Sequence, residues 1–427
     1  MPSRAPSSAT PSATTPATTP VTAPNRSAGT RIGSASHGAS FWLVAAAFMI
    51  AMAFNAVPSP LYPLYQQRDG FATLMVTVVF AVFAFGVATS LIMAGHLSDW
   101  IGRKRILLPA LGLELVTDIL FLASPSLSVL IVARLLGGLG IGMITATATA
   151  HLHDLHRAHR PHAGPDRFEI VSTGANLGGL AVGPLIAGAL AQYVDHPLRV
   201  PYLVFGVLLL LAILAVAVAP ETVELLTSRP AYRPQRVSAD HGDRPAYIAA
   251  AAAGFAAFAI NGVYTALSAG FLLGVLHKPG HLLAGAAACV LMAAAVIAQT
   301  AANPLSASVR RGLGLGLGVA GLVLLAVGVR SADLTIFLVA GIVAGAGSGI
   351  LTKSVIGAVA AMAEPCKRGE AISGLFLFCY AGMSLPAVGV GILSHYLALT
   401  TAVYIFSVVL VAVLAGAALL SFRSSRS

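Results

Sequence analysis

Apolar residues in this chain fall into twelve long runs, at positions 41–65, 71–94, 106–123, 129–150, 168–193, 200–219, 245–275, 282–303, 313–329, 334–363, 369–395 and 398–422, with short polar connections between them. Each run is close to the ~20 residues that a helix needs to cross a hydrocarbon core about 30 Å thick. None shows the strict alternation of barrel strands, and backbone groups in lipid must be satisfied within their own segment, so the runs predict twelve membrane-spanning helices. A longer polar stretch, 221–244, carries Arg229, Arg233, Arg236 and Arg244 and divides the runs six and six. The expectation is an all-α membrane protein with an N-terminal six-helix bundle over 41–220, a linker at 221–244, a C-terminal bundle over 245–422 and a short tail at 423–427. Pro58, Pro60 and Pro63 should break the first helix near its far end. Residues 1–40, rich in Ser, Thr, Ala and Pro and without an acid, predict a disordered tail. A signal peptide is disfavoured because no convincing cleavage site leads into a soluble domain.

Composition supports the same class. Of the 427 residues, 57% are hydrophobic and 9% charged, against roughly 25% charged in soluble domains. The net charge of +10 would by itself suggest nucleic acid, but its distribution argues against that partner. Counted from a cytoplasmic N-terminus, the tail, the loops after even-numbered helices and the C-terminus hold 19 of the 25 Lys and Arg residues. The opposite loops hold only Arg68, Arg199, Lys278 and Arg330. This is the positive-inside pattern, and it predicts both termini in the cytoplasm of a plasma-membrane protein. Cys289, Cys366 and Cys379 fit neither a metal site nor a disulfide framework; two read as membrane residues and Cys366 as a loop thiol. No phosphate-cradling Gly-x-x-x-x-Gly-Lys motif occurs, so ATP drive is disfavoured, and nothing calls for a cofactor.

One connection is unusually dense. Gly95-His96-Leu97-Ser98-Asp99-Trp100-Ile101-Gly102-Arg103-Lys104-Arg105 packs an acid, three bases and two glycines between the second and third runs. A weaker copy follows the eighth run, where Leu305-Ser306 and Arg310-Arg311 recur but Ala307 replaces the acid. Gly138, Gly140 and Gly142 correspond to Gly345, Gly347 and Gly349 at one constant offset, which points to an internal duplication with closely packed helices.

These residues carry a resemblance to the major facilitator superfamily of transporters. Gly95, Asp99, Gly102, Arg103 and Lys104 resemble its helix 2 to 3 signature, with Trp100 departing from the usual Arg. Arg134 with Gly138 and Gly142 resembles its helix 4 motif. Gly179, Gly183, Pro184 and Gly188 resemble the helix 5 motif seen chiefly in its antiporters, although Ala187 replaces a glycine. Pro220-Glu221-Thr222 is a further match at the end of helix 6. The resemblance implies a fold of two pseudo-symmetric six-helix bundles that rock about a midplane site. It implies no enzymatic activity and a latch through Asp99 between helices 2 and 11. It also implies a secondary transporter, proton-coupled and exporting small molecules, with uptake of a metabolite as the alternative. A non-transporting membrane sensor is a remoter reading, and a monomer is expected.

Charges inside the apolar runs are the natural candidates for function. Arg134 and Asp118 lie at one depth on adjacent antiparallel helices, so a neutralising pair is expected. Glu114, one turn from Asp118, and Asp118 itself are the candidates for proton coupling, since burial favours the neutral acid. Lys353 either attracts an anionic substrate or snorkels to the nearer membrane face. Asn55, Asn176, Asn261, Tyr264, Gln299 and Tyr380 are polar groups in apolar helices, and Asn55, Asn261, Tyr264 and Lys353 are the cavity candidates. His151, His153, His156, His159 and His162, interleaved with Arg157 and Arg160, suggest a loop that gains charge at low pH rather than a metal site.

Overall fold

A computed structural model of the chain describes residues 36–94, 97–164, 166–223, 243–278, 280–364 and 367–424. The expected tail up to residue 35, Gly95, His96, Cys366, residues 425–427 and most of the expected linker lie outside the described residues.

The first six spans contain α1 (His37–Ala56), α2 (Tyr62–Asp69), α3 (Thr73–Ala94), α4 (Ser98–Ile101), α5 (Arg103–Ala123), α6 (Leu127–His159), α7 (Asp166–Tyr193) and α8 (Val200–Val218). The last six are α9 (Arg244–Gly274), α10 (His281–Ala301), α11 (Ala307–Ser331), α12 (Leu334–Met362), α13 (Arg368–Tyr396) and α14 (Leu399–Ser424). Among the described residues twelve helices are long and apolar enough to cross a membrane, α1 and α2 counting as one broken span. That break is local chemistry. Pro58 and Pro60 lack the N–H that would continue α1, the chain makes a 3-10 turn at Ser59–Leu61, and Gly70, at φ +70°, ends α2.

Three of the differences between the helix limits and the sequence reading have a clear local cause. α1 starts at His37, within the expected tail, with Ser36 Oγ accepting from Ala39 N–H. α6 runs on to His159, so His151, His153, His156 and His159 are helical rather than in a loop, and the helix stops where Pro161 disfavours it. α11 starts six residues before the apolar run, because Ser306 caps it and Arg310 and Arg311 fit its first turns.

Two clusters of buried apolar side chains draw on residues 41–219, and a third draws on 247–417. Among the described residues α3 with α13 and α7 with α10 make most of the contact between the halves. Phe80 of α3 enters the third cluster, while Phe376, Tyr380 and Met383 of α13 pack against a first-half cluster. α7 meets α10 so closely that a Cβ on Gly285 would overlap Pro184 O. Glycine packing repeats between the halves: Gly138 and Gly142 of α6 sit on α3 backbone, and Gly345 and Gly349 of α12 sit on α10 backbone. The second and eighth spans therefore occupy equivalent places.

Candidate functional site

A cavity of about 310 Å3 lies between the halves, within the size range of small-molecule pockets. Its wall is mostly apolar, with Met52, Phe80, Phe83, Phe258, Phe376 and Met383 contributing much of it. Asn55, Asn176, Asn261, Gln299 and Tyr380 supply polar groups. Among the described residues, Arg134 is the one charged side chain on this wall.

Arg134 owes its position to the end of α1. A helix leaves its last carbonyls without intrahelical partners, and a cation there is favoured by the helix dipole. Arg134 Nη1 donates to Asn55 O at 2.9 Å and to Asn55 Oδ1 at 3.2 Å. Its guanidinium carbon stands 4.3 Å from the Phe83 ring centroid, which adds a cation–π contact. In the second half Ser348 Oγ, within reach of Gly345 O at 3.0 Å and Asn261 Oδ1 at 2.9 Å, holds the Asn261 amide at the cavity wall. Gln299 Oε1 and Thr265 Oγ1, on the same wall, are buried acceptors without a protein partner. The site can thus hold an apolar or aromatic body and a few polar groups, with one fixed positive charge near the far end of α1.

The Asp118–Arg134 pair is not formed; Arg134 turns to Asn55 instead. The two residues share a depth, but depth says nothing of rotation about the helix axis, and Asp118 faces α8, where a Cβ on Gly206 would meet its Oδ2. Asp118 Oδ1 and both carboxyl oxygens of Glu114 are buried without a hydrogen-bond partner. Glu114 fills the groove of α6 at Gly137 and Gly140, behind the cavity wall.

Two of the cavity candidates, Tyr264 and Lys353, lie off the cavity wall. Tyr264 is buried in the second-half core, donating to Phe337 O at 3.3 Å and stacked on the Phe337 ring with centroids 4.8 Å apart. Its hydroxyl lies against Gly341, which stands at the repeat position of Arg134, so the tyrosine occupies the space that the arginine takes in the first half. Lys353 leaves the cavity wall and pairs with Glu169 Oε2 at 3.4 Å and with Asn303 Oδ1. Asn176, Gln299 and Tyr380 were visible as polar groups in apolar helices; what was missing was the rotation that turns each one inward.

The family model of the Major Facilitator Superfamily matches residues 2–112 and 43–306. The chain belongs to the Major Facilitator Superfamily. It is a multi-pass membrane protein with that family's fold of two six-helix bundles. The quinolone resistance protein NorA of Staphylococcus aureus is 29% identical over 165 residues, 39% of this chain and 40% of NorA. The chain thus spans about two fifths of the length of the curated relatives it matches. The human organic anion transporter MFSD10 (TETRAN) superposes with a TM-score of 0.66 at 15% identity, covering 89% of this chain and 99% of that one. A bacterial homologue of the human lysosomal transporter Spinster, solved in an inward-facing and unoccupied conformation, gives a TM-score of 0.69 at 14% identity over 91% and 97% of the two chains. Both likenesses concern the fold.

Within this superfamily fold the polar connection at 97–105 closes a network inside the first six spans. Gly102, at φ +111°, separates α4 from α5 and brings the chain against the Glu221 carboxylate. Glu221 accepts from Arg103 N–H at 2.9 Å and Lys104 N–H at 3.1 Å, an acid at a helix N-terminus. Arg103 pairs with Asp99 and, through Nε, with Asp154 Oδ2 at 3.0 Å. Lys104 Nζ donates to Ala217 O and Ala219 O. Asp99, Arg103 and Lys104 thus find partners on α5, α6 and the end of α8, and among the described residues none of these bonds reaches the eleventh span. In the helix 5 motif, Gly179 and Gly183 seat α7 on α1, while Pro184 and Gly188 meet α10 across the halves. Among the described residues no cluster of ligands fits a metal. His151 and His156 are tied instead to Pro220 O and Gly164 O, at 3.1 and 3.2 Å.

Proposed function

We propose that this transporter exports small aromatic or amphipathic molecules by alternating access, in exchange for protons, from a cytoplasm that holds both chain termini. The observation that carries the reading is the central cavity: apolar and aromatic over most of its wall, with Arg134 and a few amides to receive an acceptor or acid group. The similarity to NorA, a quinolone resistance protein, supports export of such compounds. Positive-inside bias supports the orientation. On this orientation the halves are closed at the outer end, where Gly188 meets His281 O and Leu282 N–H donates to Gln192 Oε1 at 3.0 Å. Glu114 and Asp118 are the proton-carrying candidates, because each holds carboxyl oxygen without a partner in a buried site. The monomer suffices for this cycle.

Everted membrane vesicles test the proposal directly. Norfloxacin, a zwitterionic quinolone, should accumulate when the vesicle interior is made acid, and the accumulation should collapse with a protonophore. Accumulation of substrate only in right-side-out vesicles would support proton-coupled uptake and reject export.

A further inference from the structure

A second cavity, of about 300 Å3, lies apart from the central one, at the end of the bundle that carries residues 36 and 424. The first turns of α1, the end of α6 and the start of α7 form its wall, with Trp42, His156, His159, Arg160 and Arg167 lining it. The three elements are held together there: the His159 ring lies against Gly38, the His156 ring is 5.8 Å from that of Phe41, and the Arg167 guanidinium carbon is 5.5 Å from the Trp42 ring centroid. Among the described residues neither Arg160 nor Arg167 pairs with a carboxylate. Two unpaired guanidinium groups and two imidazoles therefore converge on one hollow at the mouth of a membrane span.

The surface below the hollow is apolar. Trp42 and Met49, two turns apart on α1, are 52% and 42% exposed, and Ile170 on α7 is 49% exposed. Tryptophan at a span end sits at headgroup level, and basic pockets between spans hold anionic headgroups. A phosphate in the hollow with acyl chains running down α1 satisfies both the cations and the exposed apolar strip. A soluble anion would satisfy only the first.

We propose that this cavity binds the phosphate-bearing headgroup of an anionic phospholipid, bracing α1 against the α6–α7 corner. Native mass spectrometry of the purified full-length transporter tests it, with phosphatidylglycerol and phosphatidylcholine offered at equal concentration. Phosphatidylglycerol should be retained preferentially, and the double variant R160Q/R167Q should lose about tenfold or more of that preference. R157Q removes a nearby charge that does not line the hollow and should leave the preference intact. Trp42→Ala, which keeps every charge, should weaken retention about threefold and serves where the double variant fails to fold. Equal retention of the two lipids overturns the proposal, as does an unchanged preference in R160Q/R167Q or unchanged retention of phosphatidylglycerol in Trp42→Ala. An equal loss in R157Q, which would indicate diffuse charge, or displacement of the lipid by millimolar glycerol phosphate, which would indicate a soluble-anion site, also overturns it.

Discussion

Arg134 connects the end of one helix to the wall of the cavity. Both hydrogen bonds to Asn55 come from the one nitrogen Nη1, while the place over Phe83 uses the planar guanidinium, which lysine cannot reproduce. R134K keeps the charge but gives up the stacking on Phe83 and the reach of Nη1 to Asn55, about 1–2 kcal/mol. Norfloxacin transport should fall about tenfold, with the folded yield on size-exclusion chromatography retained; unchanged transport would remove Arg134 from the site. The two carboxylates call for a different contrast. Because Asp118 has no cationic partner among the described residues, D118N should leave the thermal midpoint unchanged or raised, whereas a salt-bridged acid would lose several degrees. E114Q keeps the shape of the side chain in the α6 groove, so expression should hold while the pH dependence of transport flattens; an unaltered pH profile would show that Glu114 carries no proton. These residues also mark what could be read in advance. Asn55, Asn261 and Arg134 stood out because polar side chains in apolar runs are few. Tyr264 stood out for the same reason, yet it packs in the core, because its direction is set by Gly341 more than seventy residues along the chain.

Helices explain why the spans were legible and their contacts were not. Run length and proline placement locate α1, the break at Ser59–Leu61 and the short α2, since hydropathy and a missing N–H act locally. The extension of α6 through its histidines was hidden, because polar residues continue a helix as readily as they leave it until Pro161 intervenes. α7 shows how one glycine-rich helix serves two joints. A Cβ on Gly183 would overlap Ala53 O within the first half, whereas a Cβ on Gly285 of α10 would overlap Pro184 O across the halves. Overpacking of this kind costs about 1–3 kcal/mol, but the two sites can relax differently. G183A has no rigid-body escape and should lower folded yield and thermal midpoint. G285A can be relieved by parting the halves, so it should fold and populate a state open at the end carrying Gln192. Alkylation of a cysteine placed at Gln192 should then run several-fold faster in G285A than in the parent; equal rates would show that the helices adjust locally.

The two ends of the molecule are closed by different kinds of contact, which bears on how it moves. At the end carrying Gln192, backbone meets backbone across the halves at Gly188 and Gly285, and such a contact is either made or lost. At the opposite end Lys353 of α12 reaches Glu169 in the first turn of α7, and this bridge is partly exposed, with side-chain accessibilities of 24% and 45%. Solvent screening holds an ion pair of this kind to about 1 kcal/mol or less. It therefore biases the conformational equilibrium without fixing it: a few-fold change in population is the most its loss can produce. E169Q should widen the distance distribution between spin labels placed on α7 and α12 at that end and speed access to the cavity two- to fivefold. The reversed pair K353E/E169K should restore the narrow distribution, since it rebuilds the attraction with opposite sign. The test separates a bridge from a merely snorkelling lysine, because in the second case E169Q leaves the distances unchanged and the reversed pair has nothing to rescue. Salt should act in the same direction as E169Q on the parent, and should have no effect on the variant that lacks the bridge.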